Sequence, residues 1–340
     1  MNFERSLSRR RWSAGAVMGA GVSLLGLSLP TVKAQGLGSM PPTWPQKPIK
    51  LVVAYPPGGV SDAMARMLAE RLALRLNVPV LVENKAGASG TLGVSSVAKS
   101  AHDGYTFAFS AISPLTLSPH LGKPVVESRD IAPVGGVMVS PVLLVATPTA
   151  AFADFKAMLA AAKAKPFALR WATSGSASLG HVMLEQMHAL AQVDFTHVPY
   201  KGGGQQITDA LGGQFELLSV NASSAVLQHI LEGKLRPLAV GSPSRLDSLP
   251  QVPTLSELGF TAANLSSQFG VMAPALTPPA IVERLNAEIQ AVLLQPAVRD
   301  RLSAAECLPL KTSVLEFKRI ITQESDNMAR IVKDARIVGE

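Results

Sequence analysis

The chain has 340 residues, enough for two domains of ordinary size, and at 47% apolar, 16% charged and 5% aromatic it is globular rather than disordered or fibrous. Its formal charge of +7 includes residues 1–34, which hold five basic groups and one acid, so 31 − 5 = 26 basic and 24 − 1 = 23 acidic residues remain, a net of +3. No basic run follows residue 34, which excludes a nucleic-acid-binding face and leaves a mild positive excess suited to a small anion.

The chain opens like an export signal. Arg5, Arg9, Arg10 and Arg11 form a basic start, and no charge occurs from Trp12 to Val32. Val32-Lys33-Ala34 suits a signal peptidase, so cleavage is expected near Ala34, with a linker at 35–47. Ser8-Arg9-Arg10-Arg11-Trp12 resembles a twin-arginine signal, and the general and twin-arginine routes both stay open. The apolar run is long enough to span a membrane, but Gly15, Gly19, Gly21 and Gly26 dilute it, so a retained anchor is the weaker reading. The single cysteine, Cys307, cannot form an internal disulfide, and its apolar surroundings predict a buried, inert thiol.

After the linker, strands and helices alternate. A short apolar run at 49–54 predicts a strand, and Ala65, Leu68, Leu72 and Leu76 fall at helical spacing. Strands are expected at 78–83 and 105–110, with a short helix at 94–99. The run at 142–146 is apolar throughout, and an Ala- and Lys-rich helix follows at 155–165. The alternation resumes with strands at 168–172, 195–198, 215–220 and 235–240 and helices at 181–190 and 205–211. A short apolar run at 270–274 precedes an amphipathic helix marked by Ile281, Leu285, Ile289 and Val292. This order predicts an α/β fold with parallel sheets in two lobes. The runs at 142–148 and 269–274 are read as crossings between lobes. The expected limits are 48–148 plus 269–340 for the first lobe and 149–268 for the second.

Four loops follow predicted strands, where ligands of parallel α/β sheets sit. In the first, Pro56-Pro57 ends a strand, Gly58-Gly59 bares the backbone, and Ser61-Asp62 caps a helix. Unpaired N–H groups and the positive end of the helix dipole suit an anion. The second loop carries Gly87, Gly90 and Gly93, which match neither the dinucleotide fingerprint nor a P-loop; Ser89 and Thr91 offer hydroxyl donors. The third, from Ser174 to His181, sets serines beside a histidine. It lacks the nucleophile-elbow pattern, so hydroxyl and backbone donors at a helix start are the preferred reading, with a secreted serine hydrolase as the rival. The fourth carries Tyr200, able to cover an apolar part of a ligand, and Lys201, either a carboxylate partner or a solvated side chain. The six histidines complete no metal pattern, so neither metal nor cofactor is expected.

Together these loops resemble the Bug family, the extracytoplasmic receptors of tripartite tricarboxylate transporters. The resemblance rests on Tyr55-Pro-Pro-Gly-Gly-x-x-Asp62-x-x-Ala65-Arg66, on 83–90, 103–106 and 198–202, and on further matches out to Gly259. It covers essentially the whole chain after the leader. It implies a two-lobed periplasmic-binding-protein fold of type II, a flytrap with two mainly parallel sheets joined by two crossing segments. It also implies a non-catalytic, monomeric receptor for a small carboxylate, with membrane transporter subunits or a sensor kinase as partner. Carried over by position, the ligand contacts are Pro57, Gly58, Gly59, Ala88 and Ser89 from the first lobe. Ser174, Ser176, Ser178, His181 and Tyr200 come from the second, and Tyr55, Ser110 and Asn221 complete the set. Three departures stand out. Ser89 replaces a usual glycine, the 174–178 loop has its own serine pattern, and Val220 stands where relatives often have Asp. The last predicts a ligand without an amine.

Overall fold

A computed structural model describes residues 44–122 and 124–338; the expected leader and the linker up to residue 43 lie outside the described residues. The first strands and helices are β1 (Ile49–Val53), α1 (Val60–Leu76), β2 (Val80–Asn84), α2 (Thr91–Ala98), β3 (Thr106–Ala111) and the single turn α3 (Ser113–Thr116). Then come β4 (Ile131–Ala146), α4 (Phe155–Ala164), β5 (Arg170–Thr173), α5 (Leu179–Ala191), β6 (Thr196–Pro199), α6 (Gly203–Leu211), β7 (Leu217–Asn221), α7 (Ser224–Leu231) and β8 (Arg236–Gly241). The chain closes with β9 (Ser266–Pro274), α8 (Pro279–Leu293), α9 (Pro296–Ser303), β10 (Leu308–Pro309) and α10 (Val314–Asp334).

The α/β fold with two lobes is as expected, but its sheets are mixed rather than mainly parallel: each has a parallel set of three strands that antiparallel strands extend. In the first, β1 lies between β2 and β3 with all three parallel, and β9 joins β3 antiparallel. In the second, β5 pairs in parallel with β6 and β7. The long strand β4 belongs to both. Residues 131–141 pair with β9, whereas 142–146 pair with β7 and β8. The return leg lies between β8 and β9, at 242–265, upstream of the run read as a crossing. That run, within β9, is apolar because it is a central strand flanked by β3 and β4.

Each sheet is covered on both faces, which explains why its strands are continuous apolar runs. In the first lobe, Leu51, Val53, Phe107 and Phe109 pack with Met64, Leu68 and Leu72 of α1 and Leu285 and Ile289 of α8. The other face buries Val52, Ala108, Val94 and Val97 against Phe317 and Ile321 of α10. In the second lobe Trp171, Leu144 and Leu217 meet α4 and α5 on one face. Leu143, Leu218 and Val220 meet α6 and α7 on the other. Helix α10 then continues into the second lobe, where Met328, Val332 and the nearby Ile337 join the Trp171 core.

Candidate functional site

The carboxyl ends of the parallel strands face one another and enclose a cavity of about 50 Å³. The first loop contributes Tyr55, Pro56 and Gly59 and the opening residues of α1, Val60 and Ser61. Gly58 adopts φ +87°, open to glycine but costly for other residues, and this turns the chain from strand to helix. Its N–H donates to the Asp62 carboxylate at 3.3 Å, and Gly58 itself does not line the cavity. Asp62 also accepts from Asn84 Nδ2 at 2.8 Å and Arg66 Nε at 3.0 Å. Burial works against its charge, but these bonds outweigh it and hold the carboxyl below its ordinary value. Asp62 therefore braces the turn and faces away from the cavity.

In the second loop Ala88, Ser89 and Gly90 all have positive φ, at 45°, 52° and 96°. The two non-glycine positions cost about 1 kcal/mol or more each. The strain sets the Ser89 side chain toward the opposite lobe, where its Oγ donates to the Ser176 carbonyl. Ser89 lines the cavity; Ala88 and Pro57 do not. Ser110 is fully buried beneath this loop and does not line it either.

The third loop is held by its own residues. The Gly175 N–H donates to Thr173 Oγ1 at 3.2 Å, and Ser178 caps α5 by accepting the His181 N–H at 3.2 Å. Ser174 and Ser178 line the cavity; His181 does not. Its ring is buried behind the loop, where Nδ1 accepts the Ala177 N–H at 3.3 Å and Nε2 lies 3.4 Å from Glu185. His188 approaches the same carboxylate at 3.5 Å. Burial alone would push Glu185 up, but hydrogen bonds from the two imidazoles bring it down to about 2. Tyr200 also turns away. Its hydroxyl donates to Asp209 Oδ2 at 2.7 Å, and burial with that carboxylate pushes the phenol up to about 12. Lys201 is exposed, and the fourth loop presents the Gly203 backbone instead.

Asn221 lines the cavity with its Nδ2 donating to the Ser140 carbonyl at 3.2 Å. Sequence reasoning missed several neighbours: Ser113, Val142, Ser219, Ser223, Ser267 and Phe269. Phe269 meets Tyr55 edge-on at 6.3 Å and gives the cavity an apolar wall. Among the described residues, eight serines line the cavity and no Lys, Arg, His, Asp or Glu does. The starts of α1, α5 and α6 and the cap of α7, Ser223, all reach it. Hydroxyls, backbone N–H groups and positive helix ends from both lobes converge on a space with no formal charge, an arrangement that solvates an anion without an ion pair.

The first lobe's glycine loop and the second lobe's fourth loop touch. A Cβ on Gly204 would stand 2.7 Å from the Pro57 carbonyl oxygen. The two lobes are thus closed on each other. Among the described residues no group of three or more His, Cys, Asp or Glu could hold a metal ion.

A family model described as "tripartite tricarboxylate transporter family receptor" matches residues 64–337. The chain belongs to this receptor family. Protein BugT of Bordetella pertussis is 35% identical over 324 residues, covering 94% of this receptor and 96% of that protein. Among solved structures, the periplasmic binding protein BugD is 28% identical with a TM-score of 0.82, covering 87% of this receptor and 100% of that chain. MatC of Rhodopseudomonas palustris, solved with bound malate, is 26% identical with a TM-score of 0.81, covering 85% and 100%. Members of the family are solute-binding receptors of the periplasm. In this receptor no helix among the described residues is long and apolar enough to cross a membrane.

Proposed function

We propose that this receptor is exported, trimmed near Ala34, and captures a small carboxylate in the periplasm without chemical change, for delivery to the membrane subunits of a tripartite transporter. The observation that carries the reading is the charge-free cavity of serine hydroxyls and helix starts contributed by both lobes. A carboxylate spanning it is contacted from two sides, so binding favours the closed form by differential affinity. About 50 Å³ has room for roughly four waters. A dicarboxylate therefore enters an open form, with the two lobes moving apart about β4, near residues 141 and 142, and about the return leg at 242–265. Tyr55, Gly59, Ser89, Ser174, Ser178 and Asn221 are the proposed direct contacts. Pro57, Gly58, Ala88, Ser110, Ser176, His181 and Tyr200 shape or brace the loops. Among the described residues no His, Asp, Glu or Lys lines the cavity beside its serines, so the serines read as hydrogen-bond donors to the ligand.

Val220 sits in the cavity wall and offers no anion to an ammonium group. Malate is therefore expected to bind the mature protein while aspartate, its amine-bearing analogue, binds at least roughly tenfold more weakly, a difference of about 1.4 kcal/mol. Isothermal titration calorimetry with both acids checks this. Tighter binding of aspartate would contradict the amine-free ligand, and binding of neither would contradict the carboxylate-receptor reading.

A further inference from the structure

Helix α10 carries one residue that breaks its own pattern. Its inward stripe runs Phe317, Ile321, Glu324, Met328, at the three- and four-residue spacing of a single helix face. Phe317 and Ile321 are buried in the first lobe and Met328 in the second, so Glu324 lies where the helix passes between them. A carboxyl in an apolar stripe costs stability unless it is paired. Among the described residues no cation pairs with Glu324; Asn327, one turn on, is the hydrogen-bonding neighbour. Burial raises its carboxyl above the ordinary value.

The surroundings of Glu324 tie it to the ligand site. It lines a water-sized cavity of about 10 Å³ with Thr116, Ser266 and Gln268. This small cavity adjoins the main one and shares Ala111, Ser113, Leu179 and Ser267 with it. Among the described residues, Glu324 is thus the one Asp, Glu, His, Lys or Arg side chain on the wall of either space; the other titratable group there is the phenol of Tyr55, which burial holds above its ordinary value.

The other charged groups around α10 are placed differently. His120 hydrogen-bonds Ser325 Oγ at 3.0 Å. His181, from α5, is turned to Ala177 and Glu185. Lys318 and Asp326 line a groove on another face of α10, together with Glu283 of α8 and Arg129. The end of β3, the turn α3 and the start of β9 bring Ala111, Ile112, Ser113, Thr116, Ser266, Ser267 and Gln268 to the small cavity, none of them charged.

We propose that Glu324 is the charge-selecting residue at the rear of the ligand cleft: it faces a bound carboxylate as a neutral acid, so ligand and one proton bind together. The proposal rests on the carboxylate-receptor reading. Two like charges sharing one weakly solvated space disfavour each other, so an anion in the cleft makes ionised Glu324 more costly than in the open, hydrated form. Proton affinity then rises on binding. By linkage, ligand affinity is greatest at low pH and falls as pH rises through the window between the free and the bound titration of Glu324. A longer dicarboxylate, reaching further to the rear, feels the effect more than a short one.

The test is calorimetric titration of the mature protein with malate and with adipate from about pH 6 to about pH 8.5, where both acids are largely ionised. Two buffers of different ionisation heat report the protons taken up. In the unaltered protein the dissociation constant should climb with pH, by up to roughly tenfold per unit, with uptake approaching one proton. Glu324→Gln should flatten the profile, remove that uptake and bind more tightly than the unaltered protein at the alkaline end. Glu324→Leu, which completes the apolar stripe, should keep the thermal midpoint at or above the starting value and show the same flat profile. Any pH dependence added by other groups is common to all three proteins. Parallel profiles in the three proteins would overturn the inference alone, as would weaker binding by Glu324→Gln at every pH. Binding of neither acid by any of them would overturn the receptor reading and this inference with it.

Discussion

Ser89 shows how a single residue sets the balance of this site. Its backbone sits at φ 52°, a conformation that glycine adopts freely, and its hydroxyl bonds the Ser176 carbonyl across the cleft. Ser89→Gly removes the inter-lobe bond, worth about 1 kcal/mol, and relieves strain of about the same size. Global stability should hardly change, whereas the closed, ligand-bound form should lose its latch. The expected outcome is a thermal midpoint within about 4 °C of the original and malate dissociation roughly fivefold faster, the effect falling on the off-rate. Stopped-flow release of malate checks it, and an unchanged off-rate would remove Ser89 from the latch. Ser89 was legible in the sequence as a departure from a glycine pattern. His181 and Tyr200 were misleading by residue type alone, because each has an acidic partner close in sequence. Glu185 lies four residues beyond His181 on the same helix face, and Asp209 takes the Tyr200 hydroxyl. Those pairings turn both side chains into braces. Ser219, Ser223 and Ser267 carried no local signal, since they reach the cavity only when separate strands and a helix cap converge.

Among the elements, strands buried on both faces were the easiest to read, because burial on both sides forces continuous apolar runs such as those of β1 and the end of β4. The first half of β4 was hidden. No strand was expected at 131–141; Pro and Gly ordinarily weaken strands, yet β4 absorbs Pro133, Gly135 and Gly136 at register shifts between Pro133 and Gly135 and between Gly136 and Met138. Helix α6 carries the clearest test at this scale. Gly204 lies in its first turn with ordinary helical geometry, so alanine there should favour the isolated helix by about 1 kcal/mol. Its Cβ, however, would stand 2.7 Å from the Pro57 carbonyl oxygen in the opposite lobe. Gly204→Ala should therefore leave the thermal midpoint equal or higher while weakening malate binding by roughly tenfold or more, since the bound form must push the facing backbones apart. Calorimetry and a thermal melt on the same sample separate the two effects. A variant with lowered stability and unchanged affinity would mean that contact between these loops is not a feature of the bound state.

For the molecule as a whole, the question is how two lobes that open and close in the proposed function remain one cooperative unit. Strand β4 and the return leg at 242–265 connect them through the sheets, and α10 connects them through their cores. Phe317 and Ile321 are anchored in the first lobe, while Met328, Val332 and Ile337 are buried in the second. Burying three such side chains stabilises by about 6 kcal/mol, taken at about 2 kcal/mol each, a large share of the roughly 5–15 kcal/mol typical of a domain. A chain ending at Asn327 keeps the first anchor and loses the second. The second lobe should then be the weaker unit. Its core would lose Met328, Val332 and Ile337 from the cluster that holds Trp171, while the first lobe keeps both faces of its sheet packed. Differential scanning calorimetry should show one transition for the intact receptor, and for the truncated one an additional, earlier transition carrying the second lobe's share of the heat. Malate should shift the intact transition upward, because ligand bound between the lobes stabilises both together, and should shift the early transition of the truncated chain far less. A truncated chain that still melts in one step near the original midpoint would mean that the sheets alone couple the lobes, with α10 only lying across them.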